Sequence, residues 1–171
     1  MPALLISVRF HDGRYHGSGE WPPSPARLFQ ALVAGAARGE NLSAGEAEAF
    51  AWLESLDAPA IVAPSAYDGQ GFKTYVPNND LDAVGGDPAR VDKIRAGKII
   101  RPRIFDADIP LVYAWTFEGG ADAERHANAM LEIAGDLYQL GRGVDMAWGY
   151  AERVDENAAD ARLRARAGIL W

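Results

Sequence analysis

Cysteine is absent from the 171 residues, so the chain has no disulfide framework, no thiolate metal site and no cysteine nucleophile. Histidine is scarce as well, with only His11, His16 and His126. His11 and His16 lack the spacing of zinc motifs and have no nearby carboxylate beyond Asp12, so no metal and no cofactor is expected. No run of 18 apolar residues occurs, and Met1–Phe10 has no cationic stretch ahead of a long apolar one; neither a spanning helix nor a secretory leader is read. The expectation is a soluble, cytoplasmic protein without membrane contact. A Gly-x-x-x-x-Gly-Lys-Ser/Thr loop is missing, and Gly13–Gly19 lacks the helix spacing of a dinucleotide fingerprint, which sets aside the common nucleotide-binding loops.

Positive charge is in deficit, with 17 Lys and Arg against 24 Asp and Glu for a net charge of −7. Phosphate binding rests on Lys and Arg, so the average argues against a nucleic-acid partner. The distribution argues otherwise. Between Pro88 and Arg103, six basic residues (Arg90, Lys93, Arg95, Lys98, Arg101, Arg103) face the single acid Asp92. A cationic strip on an acidic body suits holding a polyanion at one place; a solvated loop explains the same strip equally well.

With 49% apolar residues, the chain has ordinary globular composition and length for one compact domain. Ala3–Phe10 reads as a first strand buried on both faces, ending at the Asp12-Gly13 turn signal. Trp21-Pro22-Pro23-Ser24-Pro25 leads into a helix with Ser24 as N-cap and Pro25 at the first helical position, stopping near Gly39. Ser43-Ala44-Gly45-Glu46 has the capping-box pattern and opens a second helix carrying Phe50, Leu53 and Leu56. Ala60–Ala66 and Phe72–Val76 read as a hairpin across Asp68-Gly69-Gln70-Gly71. From Pro77 to Lys98 the pattern is lost, and so long an insertion is functional or disordered. Leu111–Phe117 resumes a strand. Asp122 then caps the longest helix, whose stripe runs from Ala127 through Met130, Leu131, Ala134, Leu137 and Tyr138 to Gly141. Met146, Trp148 and Tyr150 alternate with small residues as a last strand. The order is close to a split βαβ, so the expected class is α+β: a ferredoxin-like, RRM-type domain with an inserted thumb or loop. The expected division is one domain over 1–154, with the insertion at about 77–100, and then 155–171 as a linker or the start of a further domain. The closing Ile169-Leu170-Trp171 looks cut rather than finished, as in the N-terminal portion of a longer protein.

Three stretches carry a resemblance: Gly13-Arg14-Tyr15-His16 followed by Glu20-Trp21-Pro22-Pro23-Ser24-Pro25-Ala26-Arg27-Leu28-Phe29-Gln30; Tyr75-Val76-Pro77-Asn78-Asn79-Asp80; and Leu140-Gly141-Arg142-Gly143. From Met1 to about Tyr150 the chain resembles the Csb-type subunit of type I-G (formerly I-U) CRISPR effector complexes, a RAMP-superfamily fusion of a Cas-five-like half with a Cas-six-like half. The resemblance implies that this chain is the half holding the 5′ handle of the crRNA. It implies further that the second half cleaves the repeat, and that the partners are the repeated backbone subunit and the large subunit of Cascade, with target DNA met only indirectly. The natural candidate for the family's thumb is Pro77–Lys98.

Single-stranded RNA is gripped through phosphates by Lys and Arg and through bases stacked on aromatic faces. The strip Lys93, Arg95, Lys98, Arg101 and Arg103, preceded by Phe72, Lys73 and Tyr75, supplies both. Phe72 and Tyr75 face opposite ways on a strand, so one of the two is expected to be buried by core packing, leaving the other to face RNA. Arg14 on its glycine-rich loop is a candidate phosphate contact, and the resemblance adds Arg142. His16 with Tyr15, near His11, is a candidate acid/base pair for metal-independent cleavage. Three functions stand: a non-catalytic handle-binding module, a repeat-specific endoribonuclease using His16 and Tyr15, and an acidic assembly domain touching only protein. Trp21, Trp52, Trp115 and Trp148 read as core or subunit-interface anchors.

Overall fold

The computed structural model describes residues 1–17, 20–39, 41–77, 95–165 and 168–170. Strand β1 (Pro2–Phe10) is buried along almost its whole length, as expected from its apolar run. It lies inside an antiparallel sheet, between β8 (Leu111–Thr116) and β9 (Ala147–Asp155). With β3 (Ala60–Ala63) and β10 (Ile169–Leu170), the order across the sheet is β10-β3-β8-β1-β9. The four strands β1, β3, β8 and β9 interleave so that each βαβ crossover leaves a gap filled by an antiparallel strand of the other, which is the ferredoxin-like arrangement.

Alternation along β1 divides the core. Leu4, Ile6, Val8 and Phe10 face three helices, α1 (Pro25–Ala36), α2 (Ala44–Ser55) and α3 (Ala121–Gly135). Ala3 and Leu5 face the opposite side, where α4 (Glu156–Ala165) covers them with Ala159 and Leu163. Residues 155–171, expected as a linker or the start of a further domain, include this helix, which docks on the sheet through those two apolar residues.

The caps follow the sequence. Ser24 accepts from the Arg27 backbone N–H, and Ser43 with Glu46 forms a complete capping box. Those bonds also hold the Glu46 carboxyl below its ordinary value. Ser43→Ala is expected to cost about 1 kcal/mol, read as a shift in the urea midpoint with unchanged slope. The Trp-Pro-Pro-Ser-Pro run is fixed at both ends. Trp21 Nε1 donates to Pro64 O at 2.9 Å, and the buried Tyr113 hydroxyl donates to Pro23 O at 2.7 Å.

Three expectations fail. The hairpin of Ala60–Ala66 with Phe72–Val76 does not form: β3 pairs with β8 and β10, whereas β5 (Phe72–Pro77) pairs with β6 (Arg95–Ile100). The apolar β3 gains more from two sheet neighbours on a buried face than from a partner across an exposed turn. The expected insertion thus begins and ends as a two-stranded ribbon, and residues 78–94 between its strands, Lys93 included, lie outside the described residues. The long helix has Gly120 at its N-cap, with Asp122 in the first turn instead, where a carboxylate still suits the positive helix end. It stops at Gly135 rather than Gly141, because Leu137 turns inward to the core and Gln139 bridges to Met146.

Candidate nucleic-acid interface

A second, small sheet builds the site. Strand β2 (Arg14–Tyr15) pairs with β7 (Arg103–Ile104), and β7 pairs with β4 (Tyr67–Asp68). Period-two alternation then sorts the Gly-Arg-Tyr-His segment. Arg14 is exposed, Tyr15 is fully buried, and His16 turns outward again.

Tyr15 packs its ring against Phe10 at 5.9 Å and Trp21 at 5.8 Å. Its hydroxyl is buried without a hydrogen-bond partner among the described residues, and burial pushes the phenol above its ordinary value. A Cβ at Gly17 would overlap that hydroxyl. Tyr15 is part of the core, and its side chain lines neither of the clefts described below.

The partner of His16 is a residue the sequence did not single out. Asp145 is 1% exposed. Its Oδ1 accepts the His16 backbone N–H at 2.9 Å and lies 2.7 Å from Nδ1 of the ring. Its Oδ2 accepts the Arg142 backbone N–H at 2.6 Å. The turn is closed from the other side by the Asp145 N–H on Arg142 O at 2.8 Å. Gly141, at φ +122°, is required here, because a Cβ would overlap both Asp145 Oδ2 and the Tyr15 ring. A carboxylate already accepting two backbone donors has no hydrogen to offer, so Nδ1 of the imidazole is the donor and Nε2 is left over.

His16 forms a wall common to two clefts. One, of about 500 Å³, is lined by His16, Arg101, Arg103 and Arg142, with Asp68. The other, of about 330 Å³, is lined by Arg14, His16, Gln70 and Phe72. Arg103 reaches Asp68 at 2.8 Å, while Arg101 and Arg142 are exposed. Phe72 is 47% exposed and meets the His16 ring edge-on at 6.1 Å. Tyr75 lies on the other face of the ribbon, under Lys73 Nζ at 4.9 Å. Of the two aromatics, Phe72 borders the clefts.

The structure therefore gathers Arg14, His16, Arg101, Arg103 and Arg142, which come from three separate segments. Neither Lys73 nor Arg95 lines these two clefts, and by register both share the Tyr75 face of the ribbon. Lys98 is exposed and pairs with Thr74 on the Phe72 face. His11 is exposed, and His126 stacks on Trp52 at 6.0 Å. Trp115 is core, as expected, but Trp148 is 44% exposed, with Arg9 over its ring and Tyr150 beside it. It sits on the end of the sheet face that α4 leaves open. Among the described residues no three His, Asp or Glu converge on a possible metal position, and no helix is long and apolar enough to cross a membrane.

Residues 3–116 match the model of the CRISPR-associated protein, GSU0054 family. The chain belongs to that family. The match runs from β1 through β8, so it takes in Arg14, His16, Arg101 and Arg103, while Arg142 and Asp145 lie beyond it. Membership places this GSU0054-family chain among CRISPR-associated proteins. A CRISPR protein from Archaeoglobus fulgidus, known from a crystal structure, is similar at 15% identity and a TM-score of 0.40 over 91% of this chain. The chain spans 62% of that protein's length. None of the curated proteins matches.

Proposed function

We propose that this GSU0054-family chain is the Cas-five-like half of a Csb-type subunit in a type I-G Cascade, and that it grips the 5′ handle of the crRNA. The observation that carries the reading is the convergence of Arg14, Arg101, Arg103 and Arg142 around His16 in a chain whose net charge is −7. Arginine clusters of this kind hold phosphates, and the acidic remainder discourages coating by RNA elsewhere. Phe72, exposed beside the clefts, offers a face for one base. The RNA-holding domain comprises residues 1–154, and the ribbon of β5 and β6 is the base of its thumb. The repeated backbone and large subunits are the protein neighbours, repeat processing belongs to a second half, and target DNA is met only indirectly, in the cytoplasm.

The test is binding of the chain to repeat-derived handle RNA and to a scrambled RNA across a salt series, with RNA length checked afterwards. Arg101→Ala and Arg142→Ala are each expected to weaken binding and to reduce the slope of log affinity against log salt by roughly 0.7. A folded chain that binds neither RNA leaves assembly as its role; RNA shortened in the presence of EDTA makes it a nuclease.

A further inference from the structure

The carboxylate of Asp145 is more than a turn staple. Two backbone N–H groups, from His16 and Arg142, would satisfy it, yet it also takes the His16 ring at 2.7 Å. The effect is to lock the imidazole in one orientation, with Nδ1 spent and Nε2 unspent. The His16 side chain keeps 12% of its surface, and that surface belongs to the walls of both clefts.

The charges around the ring come from every element packed against it. Asp145 precedes β9, Arg142 follows α3, Arg101 follows β6, Arg103 is on β7, Asp68 is on β4 and Arg14 on β2. Asp68 is paired with Arg103. A phosphate oxygen in the cleft can only accept from Nε2 if that nitrogen carries a hydrogen, and with Nδ1–H already held by Asp145 the ring of such a complex is an imidazolium.

We infer that His16 and Asp145 form a proton-linked phosphate subsite, in which Asp145 holds Nδ1–H and Nε2–H donates to a nonbridging phosphate oxygen beside Arg142. Asp145 is the positioning residue. This deepens the reading of the cleft as an RNA site and rests on it. The ligand chemistry is a phosphate oxyanion, whether within a strand or free. Because the complex binds more protons than the separate partners, affinity rises as pH falls.

The experiment measures affinity for a single-stranded RNA bearing a 5′-hydroxyl, at constant ionic strength, from about pH 5 to 8. Internal phosphodiesters do not titrate there, whereas a phosphate monoester has its own proton to exchange near pH 6. Inorganic phosphate as competitor separates a strand phosphate from a free one. The comparison variant is His16→Gln, which keeps an amide donor and cannot titrate. Wild type is expected to weaken by about tenfold across the range, and His16→Gln to hold a flat, weak profile with its salt dependence intact. Displacement of RNA only at large excess of inorganic phosphate supports a strand phosphate as the ligand. Asp145→Asn, if it folds, should flatten the profile in the same direction. Nitrogen signals of the imidazole should show both ring nitrogens protonated in the complex and Nδ1 alone in the free chain at the upper end of the range. A wild-type profile that is flat, a His16→Gln profile that matches wild type, or RNA shortened in a His16-dependent way overturns the subsite while leaving the RNA cleft standing. Failure of the folded chain to bind RNA at any pH overturns both.

Discussion

Asp145→Ala is expected to lower the melting temperature by about 10 °C, the largest effect of any single polar substitution in this fold. Three donors lose one acceptor, namely the His16 N–H, His16 Nδ1 and the Arg142 N–H. A hydrogen bond to a charged group contributes roughly 1.5–3 kcal/mol, and a buried donor left alone carries its own penalty. Water reaching the His16 side of the site recovers part of this, so the net loss is about 3–4 kcal/mol. For a chain of this length each kcal/mol moves the midpoint by roughly 2–4 °C. Asp108→Ala is the control. Its carboxylate is 96% exposed and meets Arg9 at 3.4 Å, a contact worth little in water. Thermal melts followed by far-UV circular dichroism decide it. If the two variants melt together, the Asp145 carboxylate is solvated in solution and holds neither His16 nor the Arg142 turn.

Gly141→Ala is the second large effect, and two other glycines resolve it into parts. A Cβ at Gly143 would meet no neighbour within 4 Å among the described residues, and its φ lies outside the left-handed region, so Gly143→Ala should stay within about 0.5 kcal/mol of wild type. Gly39, just past the end of α1, has φ +87° and open space; Gly39→Ala pays only for its backbone, about 1 kcal/mol. Gly141 combines φ +122° with overlap of Asp145 Oδ2 and the Tyr15 ring. Neither neighbour is a flexible side-chain end, since one is pinned by three hydrogen bonds and the other lies in the aromatic core. Overpacking adds roughly 1–3 kcal/mol to the backbone cost, for a total of about 3 kcal/mol. Urea denaturation should rank the three as Gly143, Gly39, Gly141, and equal losses at Gly39 and Gly141 would mean that the Asp145 turn yields without cost.

Local chemistry was the legible part of this fold. Ser24, Pro25, Ser43 and Glu46 act within a few residues of themselves, so their caps could be read directly. The ferredoxin-like order followed from the two strand–helix alternations, each marked by an apolar run. Pairing was less legible. Whether Ala60–Ala63 lies beside Phe72–Pro77 or beside Leu111–Thr116 depends on which surface is buried, and turn residues carry no information about that. The same limit hid the site. Arg14, Tyr15 and His16 read as one flexible loop until Arg103–Ile104 pairs with them and makes them alternate, sending the tyrosine inward. Asp145 was invisible among 24 acids, though a signal existed: the glycine of Leu140-Gly141-Arg142 needs a reason beyond ending a helix that has already stopped at Gly135. Phe72 against Tyr75 was settled by which ribbon face borders His16, again a question of tertiary approach.

Strand β1 comes before both of its sheet partners, β8 and β9, in the chain. A ribosome adding about 5–20 residues per second leaves Ala3–Val8 without its second partner for on the order of 10 s. Through that interval an uncharged, apolar stretch of high strand propensity stands open to neighbouring nascent chains. The yield of native protein is then set by how slowly chains collide during synthesis, so cool, weakly induced expression should outperform any gain in the finished fold's stability.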